Sequence, residues 1–206
     1  MNPHLWAAYV ALAVLLSFTP GPAVLTVIGQ GVRHGWRLSL FGVAGILVGN
    51  GIYFTLSALG LGAFVAASPR LFGVLRWGGI GFLAWMGLRA LFTKARAEVE
   101  VQAESTASSR ALFMQAMTTQ LANPKAIIFF VSILVPFLDQ QAPWPPWAQV
   151  ATYGVTGTLI EGPVLAAYGF AGAHGGRRLA SGGRAAWTSR ISGACLLTAA
   201  TWLALR

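Results

Sequence analysis

Five acidic residues occur in the chain, Glu98, Glu100, Glu104, Asp139 and Glu161, and only Glu161 lies deep inside an apolar stretch. Of the fourteen lysines and arginines, Lys125 alone does so. A carboxylate placed in hydrocarbon costs about 2.5–3.5 kcal/mol on insertion scales, so it faces a cavity, pairs with a cation or carries a proton. Two kinds of chemistry are therefore open to Glu161: binding an organic ammonium group and exchanging a proton. The same carboxylate can instead form an ion pair with Lys125 that ties two helices together. Lys125 can neutralise Glu161, receive a substrate carboxylate, or snorkel toward an interface.

Lys125 belongs to one of two proline-bearing interruptions, Thr19-Pro20-Gly21-Pro22 and Asn123-Pro124-Lys125, each set within a long apolar run. Proline removes a backbone donor and displaces the carbonyl four residues earlier, leaving polar groups that hydrocarbon cannot satisfy. Pro20, Gly21 and Pro22 thus open a local set of carbonyls and amides, which is what a zwitterion needs for its ammonium and its carboxylate. The plainer alternative is a kink repaired by the hydroxyls of Thr19 or Ser17. Asn123 precedes Pro124 and is biased away from helix. Its amide can cap the resumed helix or touch substrate.

The elements that must position these groups are membrane helices. Of 206 residues 56% are hydrophobic and 9% charged, against roughly 25% charged in soluble domains. The net charge of +9 does not indicate nucleic acid, because the cations cluster between apolar runs with no interleaved aromatic platform. The single cysteine, Cys195, forms no internal disulfide. His4, His34 and His174 lie near the ends of apolar runs without metal-ligand spacing, so no metal site is expected. No nucleophile-base-acid set, phosphate loop or cysteine cluster occurs, so neither an enzyme nor a cofactor is expected.

Six apolar segments run over about 6–30, 39–67, 71–92, 111–138, 148–173 and 191–206. All but the last are long enough to cross the bilayer, which takes about 20 residues. The first lacks a basic leader and a cleavage site and reads as a retained helix. Ten cations fall in or beside loops one, three and five, and three lie on the other side, Arg70, Arg76 and Arg206. Cations accumulate in the cytoplasm, so both termini are expected outside. Residues 93–110 read as a hydrophilic linker, which divides a single domain, 1–206, into repeat one at about 1–92 and repeat two at about 111–206. The interruption at Pro20 lies opposite that at Pro124. Likewise Gly45-Ile46-Leu47-Val48-Gly49-Asn50 lies opposite Gly157-Thr158-Leu159-Ile160-Glu161-Gly162. Three spans per unit invert the second unit relative to the first, so the expected fold is all-α, with two inverted three-helix repeats and helices one and four interrupted. A Gly45/Gly49 pair by itself does not separate internal packing from a homo-oligomer.

Together the Ser17-Phe18-Thr19-Pro20-Gly21-Pro22 signature, His34-Gly35-Trp36-Arg37, the stretch 78–87 with Trp85-Met86-Gly87, and Leu121-Ala122-Asn123-Pro124-Lys125-Ala126 resemble the LysE/RhtB family of bacterial amino-acid exporters. The resemblance covers nearly the whole chain. It implies a six-helix inner-membrane protein that exports amino acids or close derivatives in exchange for protons, its partners being that small molecule, the proton and membrane lipid. Glu161 occupies the place of an acid that many members carry in helix five. Where some members have an acid in helix two, this chain offers Asn50 and no carboxylate. That departure disfavours a basic amino acid as substrate. The remaining alternatives are an exporter of heavy metals or small cations, which one buried acid and one cysteine serve poorly, and an intramembrane enzyme using Glu161 with a histidine.

Overall fold

The computed structural model describes residues 2–19, 21–67, 69–92, 108–139 and 141–179, together with 194, 197–198, 200–201 and 204–205. Pro20, Cys195 and residues 93–107 of the expected linker lie outside the described residues. Among those described, every regular element is helical and no strand occurs.

Helix α1, Pro3–Phe18, starts with proline at its first position, behind an Asn2 side chain that accepts from the His4 amide at 3.0 Å. It stops where the sequence supplies two residues without an N–H, Pro20 and Pro22. The chain resumes as α2, Pro22–His34, bent 48° from α1. Gly35 then takes a φ of 82°, a left-handed conformation that glycine adopts without steric cost, and α3, Trp36–Ala67, follows. Next come α4, Pro69–Phe92, and α5, Ser109–Leu121, which begins on a Ser108 cap. A second break at 122–123 precedes α6, Pro124–Ile128. This short helix widens into a π turn, Phe129–Ile133, closed by the Leu134 amide on the Phe129 carbonyl at 2.9 Å. A 3-10 turn, Val135–Phe137, ends that stretch, and α7, Pro146–Leu179, runs on through Pro163.

The breaks shorten α1, α2, α5 and α6 to 16, 13, 13 and 5 residues, below the ~20 that cross a bilayer alone. Among the described residues one helix, Trp36–Gly60 within α3, is long and apolar enough to cross by itself, and the bent α1–α2 pair makes a second if taken as one span. Six separate spans are therefore not what these helices display individually. The fourth apolar run is divided into α5, α6 and two tight turns, and the sixth falls largely outside the described residues.

Helix α3 packs along α5 and α7, and α2 packs along α7. These contacts are made through glycine. A Cβ on Gly45 would overlap the Phe113 carbonyl of α5, and one on Gly31 would overlap the Gly169 carbonyl of α7. Gly49 faces Gln120 of α5, so the Gly45/Gly49 pair serves internal packing. Two apolar cores result. One gathers Leu5, Tyr9 and Leu12 of α1 with Ile133, Leu134, Phe137, Val150 and Tyr153. The other gathers Val24 and Val27 of α2 with Val43, Ile46, Ala116 and Leu165. Because one core takes α1 and the other α2, the α1–α2 break lies at their junction.

The connection between the 3-10 turn and α7 is held by a buried amide. Gln149 accepts from the Asp139 amide at 2.9 Å and donates to the carbonyls of Asp139 at 3.0 Å and Trp144 at 2.9 Å. Trp144 and Trp147 remain exposed beside it, as suits indoles at an interface.

Candidate substrate site at two facing helix breaks

The two breaks meet across one cavity of about 90 Å³. Six of the nine residues expected from the sequence line it: Thr19, Gly21, Asn50, Asn123, Lys125 and Glu161. Pro22 is exposed at the start of α2, and Pro124 opens α6. Pro20 lies outside the described residues. The apolar part of the wall combines four aromatic rings, Tyr9, Phe54, Phe129 and Phe130, with aliphatic groups such as Leu16 and Val24. The π turn begins at Phe129, so its wider winding falls at the cavity itself, where such turns often occur at functional sites.

One wall is a chain of carboxamides ending in the acid. Asn123 Nδ2 donates to Gln120 Oε1 at 3.1 Å, Gln120 Nε2 donates to Asn50 Oδ1 at 2.5 Å, and Asn50 Nδ2 donates to Glu161 Oε2 at 2.6 Å. Asn123 Oδ1 closes the chain by capping α6 on the Lys125 amide at 3.0 Å. Helices α3, α5 and α7 and the second break are thereby joined through side chains that are almost fully buried, Asn50, Gln120 and Asn123 each being 4% exposed. The cap expected of Asn123 is present, and the same side chain also faces the cavity.

Lys125 does not reach Glu161 at ion-pair distance. Its Nζ donates to the carbonyls of Leu16 at 2.8 Å and Thr19 at 3.2 Å, on the opposite break. Part of the reason lies in the sequence: the Leu16 carbonyl would receive the amide of residue 20 in a continuous helix, residue 20 is proline, and the Thr19 amide that takes its place is shared with the Leu15 carbonyl. The Phe18 carbonyl loses its partner to Pro22 in the same way, and Tyr168 of α7 donates to it at 3.1 Å. The hydroxyls of Ser17 and Thr19 do not repair the break. They bond back to the carbonyls of Ala13 at 2.7 Å and Leu15 at 2.8 Å, neither of which the prolines orphan. Repair comes from two other helices, through an ammonium and a phenol.

Sequence reasoning passed over Gln120, Tyr9, Tyr168 and Pro163. Gln120 carried a usable signal, since it is a polar side chain in an apolar run three residues before Asn123. Pro163 lies two residues beyond Glu161 and removes the donor for the Leu159 carbonyl inside α7. Tyr9 and Tyr168 carried no local signal. Tyr9 reaches the Tyr153 carbonyl at 2.9 Å, and both tyrosines act across the fold.

Comparison with known proteins gives a consistent result. The family described as LysE type translocator matches residues 14–206. An uncharacterized membrane protein of Vibrio cholerae is 32% identical over 88% of this chain and 87% of its own length. A homoserine/homoserine lactone efflux protein of Salmonella typhimurium is 30% identical over 79% of this chain and 78% of its own. A leucine efflux protein of Klebsiella pneumoniae is 32% identical over 68% and 66%. No solved structure matches the chain significantly.

Proposed function

The chain belongs to the LysE type translocator family, and from that premise we propose that this membrane transporter exports a zwitterionic amino acid or a close derivative from the bacterial cytoplasm. Its relatives are efflux proteins rather than enzymes, and the site is accordingly read as a passage for solute. The observation that carries the reading is the single cavity where both helix breaks, one carboxylate and one ammonium converge. Its formal charges cancel, and its remaining polar wall is neutral, made of carboxamides, hydroxyls and backbone carbonyls. Such a lining complements a molecule carrying one ammonium and one carboxylate, and it holds no second acid for a cationic side chain. The aromatic wall accommodates an aliphatic side chain.

In this reading the protein sits in the inner membrane with both termini outside, as two inverted three-helix repeats that expose the cavity to each side in turn. The facing breaks support that arrangement, since each is followed by a helix that opens on proline, Pro22 or Pro124. Coupling is to protons, with Glu161 as the group that carries them. Orientation is tested by single cysteines at Gln141 and Ser109 in a Cys195→Ser background. An impermeant maleimide is expected to label Gln141→Cys on intact spheroplasts and to leave Ser109→Cys unlabelled. The reverse pattern rejects the orientation.

Transport is tested with everted membrane vesicles carrying an imposed pH gradient, acid inside, and a panel of radiolabelled amino acids. Accumulation of at least one neutral amino acid, abolished by a protonophore, is the expected outcome. A protein that moves none of the panel above vesicles lacking it would reject the amino-acid reading.

A further inference from the structure

A buried ammonium ordinarily seeks the nearest carboxylate, yet Lys125 bonds two neutral carbonyls while Glu161 in the same cavity is held by Asn50. We propose that the carbonyls of Leu16 and Thr19 are the substrate's ammonium subsite, that Lys125 Nζ occupies it when no substrate is present, and that an arriving zwitterion exchanges with it, placing its own ammonium on those carbonyls and drawing Lys125 onto its carboxylate. This rests on the amino-acid reading above and adds which groups receive which end of the molecule.

The geometry supports an exchange rather than two independent contacts. The Leu16 carbonyl loses the amide that residue 20 would supply and keeps only the Thr19 amide at 3.2 Å, and the Thr19 carbonyl lies in the break beyond α1, so both have room for an ammonium donor whether or not substrate is bound. A lysine ammonium and a substrate α-ammonium each carry three N–H donors and are interchangeable there. Lys125 lies along the break, its Cδ 3.7 Å from the place a Cβ on Gly21 would take. Its flexible four-carbon stem allows the charged end to shift while the backbone stays capped by Asn123. Once released, Lys125 gains a carboxylate, and a charge-assisted hydrogen bond is roughly twice as strong as a neutral one. Lys125 and the two carbonyls each have a partner before and after. A ligand with only one of the two charged ends breaks that balance: an amine alone displaces Lys125 without bringing a carboxylate to receive it, and a carboxylate alone that draws Lys125 away leaves the Thr19 carbonyl without its donor and the Leu16 carbonyl with the Thr19 amide alone.

The consequence is that amine and carboxylate bind cooperatively even when they are separate molecules. The test uses the purified wild-type protein in nanodiscs and isothermal titration calorimetry with isopentylamine, which is leucine without its carboxylate, with and without saturating acetate. Acetate is expected to tighten isopentylamine binding about tenfold, and by linkage isopentylamine tightens acetate equally. Lys125→Met is expected to tighten isopentylamine about tenfold in the absence of acetate, to weaken L-leucine and L-homoserine, and to abolish the coupling. Lys125→Arg is expected to keep it. If L-leucine or L-homoserine binds the wild type while isopentylamine and acetate bind independently, the exchange is overturned and the amino-acid reading stands. Loss of amino-acid binding in Lys125→Met without any gain for the amine overturns it as well, since the carbonyl pair would then not be a vacated subsite. Because the coupling is read on the wild type, the result does not depend on a variant that folds. Binding of none of the twenty amino acids, nor of L-homoserine, to the wild type would reject the amino-acid reading and the exchange together.

Discussion

Glu161→Gln is expected to abolish export driven by a pH gradient while leaving exchange of labelled for unlabelled substrate across vesicles at equal pH measurable. The substitution keeps the shape of the side chain and removes its ability to carry a proton. It also keeps an oxygen at the 2.6 Å contact with Asn50 Nδ2, so the carboxamide chain stays intact. What is lost is the charge assistance of that bond, about 1 kcal/mol. A much larger loss, about 3–5 kcal/mol, follows when one partner of a buried ion pair is removed. That is not expected here, because Lys125 rests on the Leu16 and Thr19 carbonyls and is not stranded. Thermal unfolding of the purified variant therefore separates a coupling role from an ion-pair role, and vesicle transport tests coupling directly. Gradient-driven export at the parental rate would remove Glu161 from the coupling step.

The second large effect is expected from Gln120→Met, a substitution outside the two broken segments. Gln120 accepts from Asn123 at 3.1 Å and donates to Asn50 at 2.5 Å, and both partners are buried. Methionine fills the space with an apolar side chain of similar length and leaves Asn123 Nδ2 and Asn50 Oδ1 without a mate. Each stranded group costs about 1–3 kcal/mol, so the pair is worth a large part of the ~5–15 kcal/mol that folded domains possess. The functional effect follows from the same geometry. Asn123 fixes the start of α6 and Asn50 fixes the carboxylate of Glu161, so losing the amide between them loosens both. Transport is expected to fall below detection together with a lower midpoint of thermal unfolding in detergent. Thr118→Val, in the same helix, removes an exposed hydroxyl bonded only to the Met114 and Gln115 carbonyls and serves as the reference. Equal unfolding midpoints for the two variants would show that the carboxamide chain contributes nothing.

Much of the site could be read from residue types because its signals are chemical anomalies in an apolar background. A lone carboxylate, a lone lysine and two proline clusters stand out in a chain with 9% charged residues, and polar groups in hydrocarbon require partners. The breaks after Phe18 and Leu121 follow from residues that cannot donate or that disfavour helix, which is local covalent chemistry. The capping by Asn123 is equally local, spanning two residues.

Which groups satisfy those anomalies was decided only by tertiary packing. Glu161 and Lys125 carry opposite charges, and from sequence an ion pair between them is an open reading. Folding instead places the ammonium beside carbonyls 106 and 109 residues away and the carboxylate beside an amide 111 residues away. Tyr168 and Tyr9 look like ordinary aromatics in apolar runs, and each becomes a hydrogen-bond donor only when α7 closes on α1. The glycines show the same division. Their abundance in the sequence signals close helix approach, but that Gly45 meets α5 and Gly31 meets α7 depends on which helix faces are brought together. Side-chain chemistry within a few residues thus settled where polar groups must be satisfied. The identity of their partners depended on helix packing over more than a hundred residues, which no local pattern encodes.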